Sequence, residues 1–166
     1  MTQNIIFVNN ANQSLLNSLT EECYVLDTSL NDDYCTQFIN KAITQDKIIL
    51  FYGENATHKA KYYKVNGILI DLGSTPCKED MISLKKELGK NSIIGLISRN
   101  RRHEAMLNSE LEPDFITFKV WSDGIENTKE LLDWYNDFFI IQSALLLMDD
   151  NIDTSSLKAD FIIKSI

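Results

Sequence analysis

The chain has 166 residues, 44% of them hydrophobic and 24% charged, which suits one domain with a substantial core and excludes a disordered chain. Its 24 acidic against 16 basic side chains leave a net charge of -8, so a nucleic-acid phosphate backbone, held as it is by clustered Lys and Arg, is excluded as a partner. Cys23, Cys35 and Cys77 form neither a CxxC pair nor an even disulfide set, and no apolar run approaches the roughly 20 residues of a membrane span, so a reduced, cytoplasmic protein without a membrane partner is expected.

In chain order, Asn4 to Val8 is a short apolar run closed by Asn9-Asn10, and Leu15, Leu16 and Leu19 behind Asn12 predict a brief helix. Cys23 to Leu26 predicts a second strand. Cys35, Phe38, Ile39 and Ala42 then fall on one helical face, with Asn31 or Asp32 as the cap. Lys47 to Tyr52 predicts a third strand and Ala56 to Tyr63 a short, polar helix. Val65 to Ile70 is a fourth strand, followed by a helix with Met81, Leu84 and Leu88 in its stripe and Gly89 as its breaker.

The stretch from Ser92 to Val120 is the most legible. Ser92 to Ser98 is too uniformly apolar to have one face in water, as expected of a parallel strand covered on both sides. Asn100 is the predicted cap of a helix over Arg101 to Leu111, Pro113 stops it, and Asp114 to Val120 resumes as a strand. Ile125, Thr128, Leu131, Leu132 and Tyr135 predict a sixth helix, Phe138 to Ile141 a seventh strand and Ala159 to Ile163 an eighth. Residues Ala144 to Leu157 have room only for a frayed turn or two.

Strict alternation without a linker predicts one α/β domain over residues 1–166. A flavodoxin-like sheet needs about five strands and leaves three of these runs unused, whereas a closed (β/α)8 TIM barrel uses all eight. The barrel is the expected fold, compact beside the usual length of about 250 residues. Short loops and the lack of a helix after the last strand account for the saving. Such a chain leaves apolar surface uncovered near the point of closure, where a homodimer is expected to form.

On the residues of this same stretch, the sequence resembles the thiamine phosphate synthase family, including its TenI-like relatives. There a strand like Ile-Ile-Gly-Val-Ser precedes a helix with Glu-Ala and a strand like Ala-Asp-Tyr-Ile-Gly-Phe-Gly; the counterparts are Ile93-Ile94-Gly95-Leu96-Ile97-Ser98, Glu104-Ala105 and Pro113-Asp114-Phe115-Ile116-Thr117-Phe118-Lys119. Val65-Asn66-Gly67-Ile68-Leu69-Ile70 and Lys158-Ala159-Asp160-Phe161-Ile162-Ile163 extend the likeness in both directions, over most of the chain from about Lys47 onward. The resemblance implies a (β/α)8 barrel that joins a pyrimidine diphosphate to a thiazole phosphate in thiamine biosynthesis, a transferase with Mg2+ on the diphosphate.

Residue by residue, the family's catalytic pattern is mostly replaced. Its Gln-x-Arg-x-Lys stands against Leu26-Asp27-Thr28-Ser29-Leu30, and its magnesium-binding Asn-Asp against Tyr52-Gly53, with Glu54 beside it as a substitute. Asp71 is the second expected Mg2+ carboxylate, shifted within Asp71-Leu72-Gly73-Ser74. Ser143-Ala144 stands for the phosphate-binding Gly-Gly, and Ser98 and Ser165 look retained.

In a barrel the strand C-termini converge at one rim, where Asp27, Glu54, Asp71, Ser98, Arg99, Lys119, Gln142 and Lys164 are expected. Ser98, Arg99, Gln142, Ser143, Lys164 and Ser165 are the candidate phosphate ligands, Glu54 and Asp71 the candidate metal ligands. Lys119, two residues beyond Thr117 on the same strand face, is the candidate catalytic residue: on the interior it would bind an anion or act as a Schiff-base nucleophile, unless it merely pairs with an acid such as Asp71. Three readings follow. The first is a divergent thiamine phosphate synthase-like protein binding a phosphorylated pyrimidine or thiazole, active or a pseudoenzyme. The others are a noncatalytic barrel for protein interaction or assembly, and a lysine-dependent enzyme using Lys119.

Overall fold

Parallel strands that are apolar on both faces need both faces covered, and in the computed structural model, which describes residues 1–166, the sheet achieves this by closing on itself. The strands are β1 (Gln3–Val8), β2 (Cys23–Asp27), β3 (Ile48–Tyr52), β4 (Gly67–Ile70), β5 (Ile93–Ser98), β6 (Phe115–Val120), β7 (Gln142–Leu147) and β8 (Phe161–Ser165). Each pairs in parallel with the next, and β8 returns to β1 through Gln3 opposite Phe161 to Phe7 opposite Ser165. Helices α1 (Gln13–Asn17), α2 (Asp32–Thr44), α3 (Ala56–Tyr63), α4 (Lys78–Leu88), α5 (Arg102–Ser109) and α6 (Ile125–Phe138) follow β1 to β6 in turn. The chain is a (β/α)8 TIM barrel, as the alternation predicted.

Alternating side chains divide each strand between two cores. Outward residues such as Leu26, Phe51, Ile94, Ile116, Phe118 and Leu145 meet the helix stripes in one large cluster. Inward residues Ile5, Val25, Leu50, Leu69, Ile97, Phe115, Ala144, Leu146 and Ile163 fill the barrel. Beside Gly95 there is no room for a side chain: a Cβ there would collide with the ring of Phe115, so glycine makes space for the aromatic opposite it.

The N-terminal ends of the strands carry a repeated device. Asn66, Asp114 and Asp160 each stand just before an even-numbered strand and bond reciprocally to one residue of the strand before. The Ile49, Ile94 and Ser143 N–H groups donate to their side-chain oxygens at 2.9, 2.7 and 2.9 Å. In return the three backbone N–H groups donate to the carbonyls of the same residues at 3.0, 2.9 and 2.9 Å. Three of the segments that carry the family resemblance contain these residues, so what they encode in this chain is strand stitching, a property of the barrel.

Three expectations need correction. The seventh strand is Gln142–Leu147, not Phe138 to Ile141: Phe138 ends α6, Phe139 stacks on Tyr135 with ring centroids 4.9 Å apart, and Ile140 is fully exposed. The segment assigned to a frayed turn holds the true strand, because Ala144-Leu145-Leu146-Leu147 has helix-forming composition and pairing with β6 and β8 overrides it. The cap of α5 is Arg101, while the Asn100 side chain donates to the Lys119 carbonyl at 2.7 Å and ties the ends of β5 and β6 together.

The third concerns the closure. No helix lies between β7 and β8 or after β8, yet the apolar wall there is not bare. Leu157 and Ala159, from the segment between β7 and β8, are buried over it together with Ile162. Beyond, the outward residues at the β8–β1 seam include Asn4 and Lys164, both exposed and polar. The closure is therefore covered in part, while Ile166, against the end of β1, and Ile140, near the start of β8, stay exposed.

Candidate functional site

At the C-terminal ends of the strands, alternation and register decide which side chains enter the mouth. Lys119 lies opposite Leu146, an interior residue, and two places beyond Thr117, which faces Ile97 and Ala144 inside the barrel. It therefore lies on the interior face, half-buried. Thr117 beneath it is completely buried, and its hydroxyl has no hydrogen-bond partner. The ion pairs of the structure are Lys47–Glu22, Arg99–Glu104 and Lys129–Asp133, so Lys119 does not pair with Asp71 or any other acid.

Across the mouth stand Asp27, Tyr52 and Asp71, at or just beyond the ends of β2, β3 and β4. Asp27 lies opposite Tyr52 in the register, and Tyr52 packs edge-on against Phe7, ring centroids 5.6 Å apart. Burial, then the negative charges of Asp27 and Asp71, hold the Tyr52 phenol above its ordinary pKa, so it keeps its proton at neutral pH. The carboxylates are fixed by their own loops: Asp27 Oδ1 accepts from the Ser29 N–H and Asp71 Oδ1 from the Gly73 N–H, each at 2.8 Å. The mouth is thus divided, with acids and a protonated phenol on the β2–β4 side and Lys119 on the β6 side. Tyr52 is the member the sequence reading passed over; its place two residues after the interior Leu50 was the available signal.

The remaining candidates disperse. Gln142 and Ser143 lie at the start of β7, at the opposite end of the barrel from the rim, because the strand begins where it was expected to stop. Ser143 is buried, taking an Asp160 oxygen on its backbone N–H and donating its hydroxyl to Asn136 Oδ1 at 3.3 Å. Ser98 pairs with Phe118 on the outward face and donates to the Arg99 carbonyl. Arg99 turns toward Glu104, 3.8 Å away, and Lys164 points outward into solvent. Ser165 alone among the phosphate candidates shares the interior face with Phe7 at the mouth.

Glu54 and Asp71 are both exposed, on the loops after β3 and β4, and no three His, Cys, Asp or Glu side chains come together in a metal-holding group. The residues present do not fit a preformed Mg2+ centre. His58 and His103 are exposed on helices. No helix is long and apolar enough to cross a membrane.

No protein-family model and no curated protein matches this sequence. Solved structures do match its shape. A cube-shaped protein cage designed by fusing symmetric oligomeric domains superposes over 99% of this chain with a TM-score of 0.68 at 6% identity; the chain spans 64% of that protein's length. The native KDPGal structure covers 96% of the chain and is itself covered over 81%, with a TM-score of 0.67 and 8% identity. The YdjI aldolase of Escherichia coli K12 covers 98% of the chain and is covered over 75%, at 0.65 and 13% identity. At these identities the likeness is one of fold, a TIM barrel of the kind that aldolases and synthases use, and it extends across the whole chain without singling out thiamine phosphate synthases.

Proposed function

We propose that the protein is a TIM-barrel enzyme that binds a small carbonyl compound at its C-terminal mouth, with Lys119 as the nucleophile. The observation that carries this reading is an interior lysine at the end of β6, free of any ion pair, facing a mouth whose other polar members include Asp27, Tyr52, Asp71 and Ser165. In the proposed step the free amine of Lys119 adds to the carbonyl carbon. The carbonyl oxygen then leaves as water, taking both amine protons, and a C=N bond remains. A protonated phenol at Tyr52 suits donation to the departing oxygen, and Asp27 or Asp71 suits accepting a proton from the adduct.

The thiamine phosphate synthase-like reading has the order of the core segments in its favour, but its chemistry asks for basic groups placed on a diphosphate. Arg99, Gln142, Ser143 and Lys164 do not converge on one point, which weighs against it. A noncatalytic role in assembly draws support from exposed apolar side chains such as Phe138, Ile140 and Ile166.

The test is borohydride reduction in the presence of pyruvate, glyceraldehyde and other small aldehydes and ketones, followed by peptide mass analysis. A reduced adduct on Lys119, absent from Lys119→Met, is expected. Absence of any adduct across the panel, or equal labelling in Lys119→Met, would overturn the reading. A magnesium-dependent rise in melting temperature with pyrimidine diphosphate or thiazole phosphate would return weight to the synthase-like alternative.

A further inference from the structure

The barrel has a second opening. At the N-terminal ends of the strands a cavity of about 310 Å3 enters the interior, walled by Ile5, Cys23, Leu50, Phe115 and Phe161. The two phenylalanine rings meet edge to face with centroids 5.8 Å apart and form one side of it. Cys23, Ile48, Ile93 and Phe161 all line this cavity on the strands and are only partly buried, their side chains open to it. Val25, Leu69, Thr117 and Ala144, completely buried inside the barrel, separate it from the mouth that holds Lys119.

Its chemistry differs from that of the mouth. The walls are apolar, and the polar residues around the opening are Gln3, Asn4, Glu22, Asp114 and Gln142. No Lys, Arg or His lines it. Glu22 is bonded to Lys47 at 3.2 Å, and Asp114 accepts from the Ile94 N–H, so both carboxylates are held in place at the rim. A cavity of about 150 Å3 lined by Leu, Ile and Phe holds one benzene ring, and twice that volume fits a fused pair of rings. Carboxamide and carboxylate oxygens at the opening would accept from an N–H, and the carboxylates of Glu22 and Asp114 would repel an anion.

We propose that the N-terminal end of the barrel is a binding site for a small planar aromatic ligand, neutral or singly cationic, inserted ring first with an N–H at the rim. It is independent of the chemistry proposed for Lys119.

The probes are indole, tryptamine and indole-3-acetate, read by thermal shift. Indole and tryptamine are expected to raise the melting temperature with the logarithm of their concentration, by roughly 3–6 °C at ten times the dissociation constant, with indole-3-acetate at least tenfold weaker. Leu50→Phe and Cys23→Met fill the cavity from different strands, and whichever folds should weaken indole at least tenfold, while Lys119→Met should leave its binding unchanged. In a Cys77→Ser background, indole should slow the mercurial labelling of Cys23 in proportion to occupancy. No melting shift, an equal response to indole-3-acetate, or labelling of Cys23 that indole does not slow would each overturn the proposal.

Discussion

The two ends of this barrel are made by the same eight strands and have opposite character. At the N-terminal end, three Asx side chains lock neighbouring strands through reciprocal bonds, each of Asn66, Asp114 and Asp160 engaging one side-chain oxygen in doing so. At the C-terminal end, Asp27 and Asp71 satisfy only the amides of their own loops, and Lys119 bonds to no side chain. Charge spent on neighbours stabilises; charge left facing an opening can act on a ligand. The contrast separates the part of the molecule that holds the barrel together from the part that could perform chemistry.

Substitutions at the two ends should therefore behave differently. The largest loss of stability is expected from Phe115→Ala, which empties a nearly buried aromatic position opposite Gly95: about 3–5 kcal/mol by urea unfolding. Asp160→Ala leaves the buried Ser143 N–H without its side-chain acceptor and should cost about 1–3 kcal/mol, lowering the melting temperature by several degrees while the Lys119 adduct still forms. Lys119→Met should change stability by less than about 0.5 kcal/mol and abolish the adduct altogether. If Lys119→Met proved as destabilising as Asp160→Ala, the division between the two ends would fail.

Alkali probes both ends and the helix layer at once. Burial is the first cause that holds the Tyr24, Tyr34, Tyr52, Tyr63 and Tyr135 phenols above the ordinary value of 10.0. A raised folded-state pKa means that the stability these groups contribute is complete below pH 10 and is lost as pH climbs through the folded values. Because Cys23 and Cys35 are likewise held above their ordinary 9.0, urea midpoints should be flat from pH 7 to 8, begin to fall near 9 and fall faster above about 10, the second stage in step with phenolate absorbance. Cys23, pushed up by burial to about 12, should alkylate slowly at pH 8 and faster by about tenfold per pH unit.

Much of this architecture was legible in the residues. β5, α3, β6 and α6 lie nearly where apolar runs, stripes and breakers put them, since each element's pattern matches the surface it must bury. The site was less so. Parity along β6 was enough to bring Lys119 to the interior, and the same argument applied to β3 would have brought Tyr52. Gln142 and Ser143 lie away from the rim because the strand-like apolar run Phe138 to Ile141 closes α6 and β7 begins after it, which puts its first residues at the other end of the barrel.

The sequence by itself determined an eight-stranded α/β barrel, because the count and alternation of buried runs admit few other ways to cover them. Only the tertiary structure decided what each polar group does. Whether an aspartate stitches two strands, as Asp114 does, or stands at an open mouth, as Asp71 does, depends on which end of its strand it occupies and which strand lies beside it. Local patterning cannot encode that choice, since hydrogen-bond partners on neighbouring strands lie about 20 residues away along the chain and meet only through register.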